Sequence, residues 1–130
     1  MRLLQGVFGL VFVLGGLASA QSPSSPSLPP VPTTKVIAIG SVVSTPAGGT
    51  ANIMPQEVSD TVRLYLTGKI DQWYVRKDQR GVVFLMNVTS TEEAHSLLEK
   101  LPLGVAGIMK FDLIPVGPLS PLNYLLPKEK

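Results

Sequence analysis

His95 is the one histidine in a chain of 130 residues, and an imidazole with an ordinary pKa is the side chain best suited to move protons near neutral pH. It stands between Ala94 and Leu97 at the border of an apolar helical stripe, a position that a boundary histidine without chemistry also fills. Gln72, Tyr74 and Arg76 alternate along one predicted strand and so share a face. A hydroxyl, an amide and a guanidinium could then line one side of a cleft, with Tyr74 as a second acid/base candidate. Arg76 would grip a substrate carboxylate through its planar fork. The same three residues also suit a plain solvated face. Arg63 and Tyr65 on the preceding helix, with Lys69 after it, could close such a cleft, and Asp71 is the nearest carboxylate available as a base. Surface placement is the ordinary expectation for Lys69 and Asp71. Trp73 points the other way and is assigned to the core or a subunit interface. A single histidine, no cysteine and carboxylates without a ligand cluster give no metal site, and no cofactor is expected.

The elements that must position these residues lie between Gly68 and Leu103. Asp71 to Arg76 reads as a half-buried strand, and the charged run Lys77-Asp78-Gln79-Arg80-Gly81 as a short exposed connection. Val82 to Val88 is apolar on both faces, which predicts a central strand. Ser90-Thr91-Glu92-Glu93 has the form of a capping box: the Ser90 hydroxyl accepts from the Glu93 amide while the Glu93 side chain reaches back. Ala94, Leu97, Leu98 and Leu101 follow at helical spacing, and Pro102 ends the helix.

Outside that stretch, Met1 to Ala20 has one charge at Arg2, an apolar run from Val7 to Leu17 and the small residues Ala18-Ser19-Ala20, the pattern of a signal peptide cleaved before Gln21. Export, to a periplasmic or extracellular space, is the expectation. Residues 21–34 are built from Ser and Pro and predict an extended or disordered linker. Lys35 to Val43 is β-branched and apolar, the first strand. Ala47-Gly48-Gly49-Thr50 lacks the lysine of a phosphate-binding loop and is read as a plain loop. The first helix is predicted over Pro55 to Thr67, with Val58, Val62, Tyr65 and Leu66 as its apolar stripe and Gly68 as a left-handed cap. Glu57 is read there as a partner for the helix dipole. Gly104 to Gly107 is a link, Ile108 to Val116 the last strand, and Pro115 confines that strand to an edge. The domain is drawn over residues 35–126, with an apolar tail from Leu119 to Leu126 and a solvated 127–130.

Ten basic residues against nine acidic remain once the leader is removed, and no basic run carries interleaved aromatics, so no nucleic acid partner is expected. No membrane association is expected after cleavage. Asn87-Val88-Thr89 matches a glycosylation sequon but ends a strand predicted to be buried, and no glycan is expected. The element order is strand, helix, strand, strand, helix, strand. That is the ferredoxin-like α+β arrangement, a four-stranded antiparallel sheet with two helices on one face. Its other face would be rich in Val, Ile, Leu and Phe and would need covering. With no disulfide available, a homodimer or a higher homo-oligomer is the expected solution.

Glu93-Ala94-His95-Ser96-Leu97-Leu98-Glu99-Lys100-Leu101-Pro102-Leu103 resembles the Glu-Leu-His-x-Leu-Leu-x-x-Leu-Pro-Leu segment of the muconolactone delta-isomerase family. The resemblance extends to Gly68-Lys69-Ile70, Trp73, Arg76, Phe84 and Pro118-Leu119, and covers about half the chain. It implies a dimeric α+β barrel with a ligand cleft between helices and sheet, and cofactor-independent proton transfer on a small molecule. On that basis the chain is expected to bind a small apolar or aromatic carboxylated molecule. His95 or Tyr74 would be the acid/base, and Arg76, Gln72, Tyr65 and Arg63 would hold the substrate. A non-catalytic binding or assembly module on the same fold, and a cofactorless monooxygenase in which Trp73 and Tyr74 face the substrate, are the alternatives.

Overall fold

A computed structural model describes residues 15–16 and 30–119. Most of the leader, most of the linker and the apolar tail beyond Leu119 therefore lie outside the described residues. Alternation in the first apolar run makes β1 (Lys35–Val42), in which Val36, Ala38 and Gly40 are buried on one face. A loop leads to α1 (Met54–Leu66), which has Pro55 in its first turn and is followed by Gly68 with φ of 78°, the left-handed cap expected there. β2 (Ile70–Val75) and β3 (Gly81–Met86) form a hairpin, followed by α2 (Thr91–Leu98), α3 (Pro102–Val105) and β4 (Met109–Val116).

The strands are antiparallel in the order β2-β3-β1-β4. β1 and β3, the most apolar strands, are central, and the proline-bearing β4 is an edge. This is the ferredoxin-like topology, with the helices on one face of the sheet. The core lies between α2 and the sheet: Ala94, Leu98 and Leu101 pack on Val36, Ala38, Phe84, Met86 and Val88. Gly40 lets the strands carry large side chains past it, because a Cβ there would meet Phe111 Cε1 at 2.7 Å.

Three local expectations are corrected. Ser90 does accept from the Glu93 amide at 3.1 Å, but the Glu93 carboxylate pairs with Lys69 Nζ at 3.0 Å instead of returning to the cap. Pro102 does not stop the second helix, which already ends at Leu98; it starts the next one, since its fixed φ suits the first turn of α3. Asn87 is exposed past the end of β3, and its amide donates to the Gly68 carbonyl.

Candidate functional site

The apolar stripe read for α1 is not packed into the core. Val58 is 52% exposed, and Tyr65 and Leu66 are also exposed, while the one buried residue of the helix is Glu57. Glu57, Thr61 and Leu64 form the inward row at i, i+4 and i+7, and Leu64 reaches the core. The helix is thus turned by one residue from the sequence pattern, about 100°. Two contacts fix it there. Glu57 Oε2 accepts from the Leu103 N–H of α3 at 2.8 Å, and the Tyr65 ring stacks on Trp73 of β2, centroids 4.2 Å apart and planes 17° from parallel.

Between α1 and the sheet this leaves a cleft of about 490 Å³. Met54, Val58 and Val62 line its helix side, Trp73, Val75, Val82 and Phe84 its floor, and Leu103 and Met109 its end. Glu57 stands in this apolar wall at 7% exposure, and burial pushes its carboxyl pKa up from the ordinary value, against the lowering effect of the Leu103 N–H. Nearby Asp60 pushes it further up. No fully buried side-chain oxygen lacks a partner among the described residues, so Oε1, which accepts no hydrogen bond there, keeps some accessible surface, and Glu57 is among the residues lining the cleft. A carboxyl group with a raised pKa in an apolar pocket can both take and return a proton.

The residues singled out from the sequence are dispersed. Gln72, Tyr74 and Arg76 do share a face, but it is the sheet face without helices: Gln72 lies opposite Leu85 and Tyr74 opposite Val83. The Tyr74 hydroxyl donates to Gln72 Oε1, and the Arg76 guanidinium bonds Asp78 and, at 2.7 Å, Ser41 Oγ. Tyr74 meets the cleft along its edge strand, with its hydroxyl turned away to Gln72. His95 is 60% exposed on α2 and pairs with Glu99 at 2.8 Å, outside the cleft. Arg63 is exposed and pairs with Asp60, Lys69 pairs with Glu93, and Asp71 pairs with Lys35. Tyr65 is the substrate-binding candidate held beside the cleft, through its stack on Trp73, which is a cleft residue and not a core one. Among the described residues no group of histidine, cysteine and carboxylate side chains could hold a metal ion.

No family model matches the chain, and no curated protein matches it. Among solved structures, the chain is similar to 5-chloro-2-hydroxyhydroquinone dehydrochlorinase from Burkholderia phenoliruptrix AC1100 in complex with 2,5-dihydroxybenzoquinone. The two are 18% identical with a TM-score of 0.47, over 63% of this chain and 92% of that one.

Proposed function

We propose that this chain binds a small apolar or aromatic molecule in the cleft between α1 and the sheet, and that Glu57 moves a proton on it. The observation that carries this reading is a buried carboxyl group with a raised pKa, set in a mostly apolar wall of a site large enough for a small molecule. The reaction class that fits is the cofactor-independent shift of a double bond, as the likeness to the muconolactone isomerase segment also suggests. Ionised Glu57 removes a proton from the carbon between a C=C and a C=O, which leaves a delocalised dienolate. Protonated Glu57 then returns the proton at the far end of that system, so no oxidant or co-reactant is consumed. The apolar wall keeps water from competing for the proton. In this reading the acid/base role passes from His95 and Tyr74 to Glu57, because neither of the others presents its polar atoms to the cleft.

A simple unsaturated lactone, α-angelica lactone, tests the chemistry. In D2O the protein should speed its conversion to the conjugated isomer with deuterium incorporated, and Glu57→Gln should reduce the rate by about 10²-fold or more. An unchanged rate in Glu57→Gln would sink the acid/base assignment, and binding without turnover would favour a non-catalytic binding module. The proposal includes export through the leader: intact mass of the chain purified from its host should correspond to a start at Gln21. It also includes self-association through the helix-free sheet face.

A further inference from the structure

The apolar cleft does not end at Met109. A second lobe of about 260 Å³ continues from it and shares Val75, Val82 and Leu103 with the first. Its character is different: it adds Thr45, Thr50 and Arg80, and no carboxylate lines it. Glu57 lines the first lobe only. Arg80 is exposed, and its side chain has no hydrogen-bond or ion-pair partner among the described residues, whereas Arg63 and Arg76 are both paired. The Arg80 backbone is nevertheless fixed, because its carbonyl accepts from the Val42 N–H at 3.1 Å at the end of β1.

We propose that the cleft takes an elongated molecule with an apolar body and an anionic head, and that Arg80 receives the head. This rests on the small-molecule reading of the cleft and adds the chemical class of its occupant. The apolar body lies over Trp73 and Phe84 in the first lobe. Phe84 and Arg80 are four residues apart, so their Cα atoms lie at most about 14 Å from one another. The head sits in the second lobe, where an unpaired guanidinium and two threonines meet it with no opposing charge, and it stays clear of Glu57. A planar guanidinium suits a carboxylate or a sulfonate equally. Arg76, the arginine that the sequence suggested for this task, is bound to Asp78 on the other face of the sheet.

Trp73 is the one tryptophan in the chain and lies in the cleft, so its fluorescence reports occupancy directly. Decanoate, below its micelle concentration, and 1-decanol serve as probes of equal length. Decanoate should bind about fivefold more tightly than the alcohol, the size expected of an ion pair at an exposed mouth. Arg80→Gln should abolish that preference and leave 1-decanol affinity unchanged. Arg80→Lys should keep part of it, and Lys77→Gln, in the same hairpin connection, should keep all of it. Val58→Phe, which fills the first lobe, should weaken both probes. Equal affinities in the unmodified protein, or a preference that survives Arg80→Gln, would overturn the proposal while the cleft reading stands. Failure of both probes to change Trp73 emission would overturn the two together.

Discussion

Glu57 combines three properties in one side chain: burial, a raised pKa and a hydrogen bond that ties α1 to α3. Its effect on stability has a definite sign. A carboxyl group whose folded pKa exceeds its ordinary value of 4.5 holds its proton in the native state where the unfolded chain has lost it. Unfolding then releases a proton, so stability falls as pH rises through that window and is flat below 4.5. Urea unfolding between pH 4 and pH 8 should show this slope, and Glu57→Gln should flatten it. Glu57→Ala should cost about 1–3 kcal/mol at any pH, because it leaves the Leu103 N–H buried without an acceptor. Asp78 has the opposite sign. The hydrogen bond from Arg76 holds its carboxyl down to about 2, so the stability it contributes is present above the ordinary 3.8 and is lost as pH falls towards 2. Asp78→Asn should remove that acid-side loss and leave the Glu57 window untouched. Glu57 was visible in the sequence as a first-turn acid and nothing more. What makes it chemical is the Leu103 N–H, 46 residues away, and no local pattern records a contact of that separation.

The elements were far more legible than the site, for a reason visible in α2 and α1. Ala94 and Leu98 of α2, with Leu101 just past its end, meet the sheet directly, so apolar periodicity and burial agree and the helix starts where the pattern puts it, although it ends at Leu98. Leu98→Ala should cost about 2–5 kcal/mol in urea unfolding, as expected for a side chain only 1% exposed. In α1 two patterns compete on adjacent faces: Val58, Val62 and Tyr65 form the stripe that is apolar, while Glu57, Thr61 and Leu64 form the row that points inward. The apolar stripe faces the cleft, whose occupant is not part of the chain, and hydrophobic periodicity alone cannot tell a core from a binding wall. Trp73 was misplaced on the same ground. Tyr65→Ala removes the stack that keeps α1 beside β2, and should cost about 0.5–1.5 kcal/mol and shift Trp73 emission to longer wavelength. Gln72, Tyr74 and Arg76 were correctly read as sharing a strand face. Which face of the sheet the helices cover follows from the handedness of the crossovers, and alternation within one strand does not contain it.

For the whole molecule, the helix-free face of the sheet is the surface on which the proposed self-association rests. The register places Ile37 opposite both Leu85 and Ile114, and Ile39 opposite Val83, which gathers five aliphatic side chains at its centre. None of the five is fully buried, and charged or polar residues surround them: Lys35, Arg76, Lys110 and Asp112. An apolar centre with a charged rim of both signs is the composition of a subunit interface. A second copy of the same sheet offers a matching surface, and a chain without cysteine has no disulfide to stabilise the monomer instead. The unmodified protein should therefore run as a dimer or larger in light scattering at micromolar concentration, and Ile39→Lys, which places a charge at the centre of the face, should shift it to monomer. A monomeric unmodified protein would refute the interface. The cleft lies on the opposite side of the sheet and is lined within one copy by α1, β2 and β3. The Ile39→Lys monomer should then still bind decanoate with the Trp73 signal intact. Loss of binding on dissociation would instead mean that the second copy contributes to holding α1 and the cleft in place.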